Sequence, residues 1–392
     1  MAAAAALAVA LFSASWALLH TGPWDEGAIV DTPLYQAYGE RIAAGEIPYR
    51  DFALEYPPAA LAVFWLPTLG APGDYDSLFE LAMLVCGAAA AALVPVALAA
   101  AHARGAWILG SVAITGLSPL LLGNVVLTRY DLWPAALLAG ALTALAAGHA
   151  RLAHALLAAG VAAKLYPLVV LPLALLYVAR RRGAREVAVS LAIFASVLAL
   201  LVVPFVVLAP HGVLESVTRQ AQRPLQIESL GAGILLGLDR LDLYAARVVS
   251  SHGSQNLAGP VPDALADVGT VVQAVAVIAV WLLFSRLERK PAQLLTASAA
   301  AVAAFVAFGK VLSPQFLVWL LALVPLAAAV RPALALAGAL VLTQLWFPRR
   351  YWDVVAVEPV AWLVVCRDLV LVALALTLLA ATRRTPEARG SR

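Results

Sequence analysis

The feature that most constrains this chain is the recurrence of apolar runs close to the roughly 20 residues a helix needs to cross a bilayer. They occupy 1–19, 76–101, 106–123, 131–147, 153–164, 166–178, 187–209, 267–285, 292–308, 315–330, 333–347 and 362–381. A soluble core cannot absorb them. Hydrophobic residues are 63% of the chain and charged residues 12%, against about half and about a quarter in an ordinary soluble domain. The sequence predicts an all-α fold, a polytopic transmembrane helical bundle of about twelve spans, with 153–164 and 166–178 counted as a re-entrant-like pair. The first run has the length of a signal peptide but lacks a basic start and a small-residue cleavage site, so it reads as the first span.

Charge sets the orientation. With the N-terminus inside, the connections at 102–105, 148–152, 180–186, 286–290 and 331, and the tail from Arg383, are cytoplasmic. Together they hold 14 of the 26 Lys and Arg but only 3 of the 23 Asp and Glu, as the positive-inside rule requires. A second topology makes 153–178 one tilted helix and 59–69 a short span instead of an interfacial helix. It moves Arg104 and Arg151 outside and Arg129 inside, and leaves everything after Arg180 in place. Either way the chain reads as a single membrane domain, 1–382, with a first outer loop at 20–58, a long outer loop at 210–266 and a cytoplasmic tail at 383–392. Its solvent is membrane lipid. A net charge of +3 gives no footing for nucleic acid. Cys86 and Cys366 lie inside apolar runs, which excludes a disulfide framework and a thiolate zinc site.

The first outer loop, TGPWDEGAIVDTPLYQAYGERIAAGEIPYRDFALEYPP, carries seven carboxylates, Asp25, Glu26, Asp31, Glu40, Glu46, Asp51 and Glu55, against Arg41 and Arg50. Residues 32–44 have helical spacing, with Leu34, Tyr35, Tyr38 and Ile42 on one side, and read as an amphipathic helix lying on the membrane. Gly45 ends it, and Pro48, Pro57 and Pro58 fix extended turns. Asp31 stands where an N-cap or a reactive carboxylate would, and both readings stay open. The bland reading of the loop is a solvated connection whose acids keep it in water.

Membrane-level cations are the other signal. Arg129 and Asp131, in GNVVLTRYDLWP, form an ionisable pair at a membrane boundary, either an interfacial anchor or part of a site. Lys164, in AAGVAAKLYPLVVLP, lies midway through an apolar stretch, where an ammonium costs at least a few kcal/mol unless an anion or a water-filled cavity meets it. Pro167 suggests a broken helix with Lys164 at its tip. Arg219, Arg223 and Glu228, in TRQAQRPLQIES, are spaced as a solvated face would be. Lys310, in FGKVLSPQFLVWL, is either a snorkelling interface residue or a phosphate partner. Arg349 and Arg350, in PRRYWDVVAVEP, suit an aromatic belt with anionic headgroup contact. Gly-rich phosphate loops, HExxH, GxSxG and histidine clusters are absent from the sequence, which argues against nucleotide-driven chemistry. Outer-face carboxylates beside isolated cations suit a carboxylate that deprotonates a sugar hydroxyl while Lys or Arg neutralises a lipid-phosphate leaving group.

Five stretches in order, DTPLYQAYGERIAAGEIPYRDFALEYPP, TRYDLWPAALLAGAL, LLAAGVAAKLYPLVVLP, RPLQIES and KVLSPQFLVWLL, resemble the GT-C superfamily of integral membrane glycosyltransferases. Within it they resemble glycosyltransferase family 87, formerly the domain of unknown function 2029. The resemblance implies a mannosyltransferase-like enzyme of the bacterial plasma membrane, and the charge pattern places both termini in the cytoplasm. Its donor would be a polyprenyl-phosphate sugar, typically mannose, and its acceptor a glycan or glycolipid on the outer face. It implies Asp31 as general base, with Asp25 of the Asp25-Glu26 pair as the competing assignment. It also favours the helix pair with Lys164 near its tip and the interfacial reading of 59–69. Lys164, Arg129, Asp131, Lys310, Arg223, Glu228, Glu55 and Tyr56 are the expected substrate and donor-phosphate residues. No cofactor or metal ligand is assigned, although a loop with several acids is chemically able to hold Mg²⁺ or Ca²⁺. The alternative is a transporter or flippase of lipid-linked sugars, for which a pseudo-symmetric pair of halves would be expected. A third reading is a non-catalytic envelope scaffold.

Overall fold

The computed structural model describes residues 1–24, 29–71 and 73–383; Asp25, Glu26 and the tail beyond Arg383 lie outside the described residues. Helix α1 (Ala2–Leu18) leads into the first loop, which carries α2 (Thr32–Ala43) and α3 (Leu61–Trp65). Then come α4 (Tyr75–Ala100), α5 (Gly105–Leu122), α6 (Val125–Thr128), α7 (Leu132–Ala146), α8 (Ala150–Ala163) and α9 (Leu171–Leu208). The segment expected as a long outer loop holds α10 (Pro210–Ala221), α11 (Leu230–Asp239) and a hairpin, β1 (Val248–Ser251) and β2 (Ser254–Leu257). Helices α12 (Pro260–Ser285), α13 (Pro291–Ala307), α14 (Val318–Leu323), α15 (Val330–Gln344), α16 (Tyr351–Val355) and α17 (Ala361–Thr382) complete the chain.

Burial shows what surrounds this bundle. Helix α13, rich in alanine, is buried on nearly every face, and its small side chains let α12, α14 and α17 approach closely. Along the most apolar part of 166–208 only 6% of residues are buried, and in α12 only 17%. Leu200, Val207 and Val271 are 74%, 72% and 62% exposed. Apolar faces of that extent are covered by hydrocarbon, and the helices satisfy their own backbone groups there. Among the described residues five helical stretches are long and apolar enough to cross a bilayer, and the other apolar helices have 10–17 residues.

Two breaks in the apolar pattern position the site. Helix α8 stops at Ala163, Lys164 is extended (φ −161°, ψ 140°), and a 3₁₀ turn over Tyr166–Val170 precedes α9. This is the broken pair read from Pro167, not one tilted helix. Helix α9 is itself interrupted at Gly183 (φ 78°, ψ 178°), a conformation that suits glycine. Arg182 there donates to the Gly148 carbonyl in the α7–α8 connection. Tyr166 stacks on Trp319 at one end, and Phe205 meets Tyr49 of the first loop at 5.7 Å at the other. The chain therefore runs from the first-loop face to the opposite face and back, and the basic stretch 180–186 forms the turn.

The first loop packs as a small layer over the bundle. Residues 58–69 form a 3₁₀ turn, α3 and a second 3₁₀ turn, too broken for a span. The buried face of α2 consists of Thr32, Tyr35, Tyr38 and Gly39. Leu34, expected on that side, is 41% exposed, because the close approach is made at Gly39, where a Cβ would collide with the Phe64 carbonyl. The 210–266 segment is ordered for a different reason. His252 and Gly253 (φ 54° and 68°) close a two-residue hairpin turn of the type that twisted strands favour. Residues 225–227 join β2 through an isolated antiparallel bridge, Ile227 N–H to the Gln255 carbonyl (3.0 Å) and Leu257 N–H to the Leu225 carbonyl (2.9 Å).

Candidate active site

The loop before α7 and the break after α8 bring Asp131 and Lys164 together. Asp131 precedes the first turn of α7 and is fully buried. Its Oδ1 accepts Lys164 Nζ at 2.5 Å and Trp319 Nε1 at 2.5 Å. Trp319 is held flat between Tyr166 (centroids 4.0 Å apart) and Phe316 (4.2 Å). Around the ammonium stand the rings of Tyr130, Trp319 and Phe316, at 4.6, 5.3 and 5.6 Å, near enough for cation–π attraction. The anion that Lys164 requires in an apolar stretch is thus Asp131.

Arg129 takes a different partner from the one its sequence neighbourhood suggests. Extended at φ −122°, ψ 137°, it carries its guanidinium, 5% exposed, to the Asp31 carboxylate, and its Nη2 donates to the Ile29 carbonyl at 3.3 Å. Arg129 and Asp131, read as one ionisable pair, are split: one grips the first loop, the other grips Lys164. Asp31 occupies the N-cap position of α2 without making a capping hydrogen bond. Its carboxylate is engaged by Arg129 and by the Tyr35 hydroxyl at 3.3 Å. Burial pushes the Tyr35 phenol well above its usual range, so it remains a donor. Tyr35 stacks on Phe64 at 4.5 Å and meets Tyr56 and Tyr130 edge-on, giving Asp31 an aromatic floor. The Asp31 side chain keeps 30% exposure, whereas that of Asp131 has none.

The other wall is the strand-like segment 222–229, where sequence spacing suggests a solvated face. Only Arg219 fits that reading, exposed and paired with Glu215 one turn away at 3.3 Å. Glu228 is 3% exposed and accepts Gln226 Nε2 at 2.5 Å. Burial raises its carboxyl to about 7, opposed by Arg367, the Gln226 hydrogen bond and Arg223. Arg223 Nη2 donates to Ser254 Oγ at 3.0 Å, while its buried Nε has no hydrogen-bond partner among the described residues. Burial lowers the Arg223 guanidinium, against the pull of Glu55 and Glu228. Arg129 lies in the field of Asp131 and Glu228, and Lys164 in that of Asp131, Arg129 and Arg223. The charges of the two walls therefore lie within electrostatic range of one another.

Three expected residues sit at its rim. Lys310 gives its backbone carbonyl to Gln226 N–H at 3.0 Å, but its Nζ goes to the Ala221 carbonyl at 2.9 Å, the favourable place for a cation at the end of α10. Glu55 offers its carbonyl to Gln220 Nε2 at 3.4 Å, and its carboxylate faces the hairpin turn at Gly253. Tyr56 lies edge-on to Tyr130 at 5.2 Å and accepts the Tyr49 hydroxyl at its carbonyl, 2.5 Å away. Sequence reasoning assigned no role to Trp319, Tyr130, Gln226 or Ser254. Trp319 had a signal: an indole N–H in an apolar run needs an acceptor.

Residues 54–314 match the sequence pattern of glycosyltransferase family 87, a stretch that includes Arg129, Asp131, Lys164, Arg223, Glu228 and Lys310 and begins after Asp31. No curated protein matches the chain. The fold is similar to that of ArnT from Cupriavidus metallidurans crystallised with undecaprenyl phosphate, with TM-score 0.51, 15% identity, and 96% of this chain and 77% of that one covered. It is also similar to the apo structure of that protein, with TM-score 0.50, 15% identity, and 96% and 76% covered. At that identity the likeness is one of fold, and it agrees with the GT-C-type polytopic bundle expected from the sequence.

Proposed function

This chain belongs to glycosyltransferase family 87, and from that premise we propose that it transfers a hexose, mannose in our reading, from a polyprenyl-phosphate sugar to a glycan or glycolipid on the outer face of a bacterial plasma membrane. The observation that carries the reading is the Asp31–Arg129 pair. It is a partly exposed carboxylate, oriented by a buried guanidinium, at the edge of a membrane-level cluster of charges. The fold likeness to a protein crystallised with undecaprenyl phosphate supports a polyprenyl-phosphate donor.

In this scheme Asp31 takes the proton of the acceptor hydroxyl as that oxygen bonds to C1 of the sugar. The bond from C1 to the phosphate oxygen breaks, its electron pair leaves with the polyprenyl phosphate, and the anomeric configuration inverts. A positioned base contributes on the order of 10²–10⁴-fold. Arg223, with a buried unengaged Nε, and Arg129 stabilise the departing phosphate. Lys164 acts through its field, because its Nζ is committed to Asp131. The prenyl chain lies among the spans. Asp25 is the reserve base and lies outside the described residues.

Mass spectrometry of envelope glycolipids and polyprenyl-phosphate sugars in a deletion strain tests the proposal. A truncated glycan with accumulated donor is the expected result, and an unchanged lipid and glycan profile would reject it.

A further inference from the structure

Helix α17 hides two charges that the proposed chemistry does not use. Arg367 and Asp368 are 0% and 1% exposed within an apolar helix. A buried charge is costly there unless it is paired; these two pair with each other, and of their polar side-chain atoms Arg367 Nη2 alone makes a hydrogen bond among the described residues. Arg367 Nε pairs with Asp368 Oδ1 at 2.7 Å, and the guanidinium lies 5.6 Å from the Trp346 ring centre. Arg367 Nη2 donates to the backbone carbonyl of Glu228 at 2.7 Å. Asp368 turns the other way, its Oδ2 only 2.9 Å from where a Cβ on Gly233 would stand. Gly233 lies in the first turns of α11, whose N-cap is Ser229, so the carboxylate also lies near the positive end of that helix.

We infer that Arg367 and Asp368 are positioning residues: one charged clamp in α17, in which Arg367 holds the Glu228 carbonyl and Asp368 balances its charge beside Gly233 of α11, sets where Glu228 and Arg223 stand in the site. Arg367 fixes the carbonyl side of the junction. Asp368 neutralises that guanidinium and packs against α11 at Gly233, where only glycine leaves room. Gln226, hydrogen-bonded to the Glu228 carboxylate, ties the segment's side chains to the same anchor. The consequence for catalysis rests on the proposed transfer reaction; the clamp itself does not.

Hydrogen exchange on the purified full-length chain in detergent tests the clamp without reference to any reaction. The double replacement Arg367→Met with Asp368→Leu keeps volume and removes both charges together, which avoids stranding one of them. Amides across 222–233 should then exchange about tenfold or more faster, with α13 unchanged. Arg367→Lys should restore part of the protection. Exchange across 222–233 within about twofold of wild type, or acceleration spread evenly over the chain, would overturn the proposal. Should the double variant not fold, Gly233→Ala decides: the same local acceleration supports the clamp, and unchanged exchange rejects it.

A second readout uses transfer from a labelled polyprenyl-phosphate sugar. Loss of the clamp should raise the KM for that donor and lower kcat per folded molecule by about tenfold to a hundredfold, with the acceptor KM unmoved. The effect should be less than additive with Arg223→Ala; strict additivity would mean that the clamp does not act through Arg223. If the wild-type chain transfers no sugar, the proposed function fails while the exchange result still judges the clamp.

Discussion

The Arg129 guanidinium reaches out of the bundle to hold the Asp31 carboxylate at the start of α2, and the same side chain donates to the Ile29 carbonyl. A residue of the membrane domain thus fixes both the position and the orientation of the proposed base in the first loop.

Replacing Arg129 by methionine should therefore reduce turnover by about a hundredfold through misplacement of Asp31, in a protein that still accumulates. Arg129→Lys should recover only part of this, because one ammonium cannot serve Asp31 and Ile29 with a fork of donors. Steady-state kinetics normalised to folded enzyme checks both variants.

Asp131 and Lys164 should behave as a structural pair. Lys164→Met strands a buried carboxylate, and such losses cost about 3–5 kcal/mol. Lys164→Met combined with Asp131→Leu should cost less than either single change. Trp319→Phe removes one donor from Asp131 and should cost about 1–3 kcal/mol. Thermal unfolding in detergent orders the four variants, and a double variant less stable than both singles would contradict the assignment.

Glu228 gives a pH dependence of definite sign. Burial raises its carboxyl from the ordinary 4.5 to about 7, so within that window the folded state binds the proton that the unfolded chain has released. Its contribution to stability is present at the acid side and is lost as pH rises towards about 7. Melting temperatures measured across that range should fall less steeply in Glu228→Gln than in wild type.

Orientation is open to direct test. The native thiols lie within the apolar helices α4 and α17, Cys86 half-buried and Cys366 on an exposed apolar face, so background labelling by a membrane-impermeant maleimide should be low. In intact cells Glu40→Cys, in the first loop, should label, and Arg185→Cys, in the basic turn near Gly183, should label only after permeabilisation. The reverse pattern would invert the topology.

Much of this was legible in the sequence because it is local. Apolar runs located the long helices, Pro167 located the break beside Lys164, and the spacing of Tyr35 and Tyr38 located the surface helix. What was not legible is tertiary. Nothing in GNVVLTRYDLWP says that Arg129 turns to Asp31 while Asp131 turns to Lys164 and Trp319. Arg223 and Glu228 looked solvated because their burial depends on the hairpin and α11, and α11 is only ten residues long. Arg367 and Asp368 vanished into the run 362–381, since an average over a span hides two charges that cancel.

The central claim is that Asp31 is the base. Transfer from a labelled polyprenyl-phosphate mannose should fall by at least about 10² in Asp31→Asn, with protein level, melting temperature and donor binding close to wild type. Wild-type transfer by a normally folded Asp31→Asn protein would contradict it and move the assignment to Asp25.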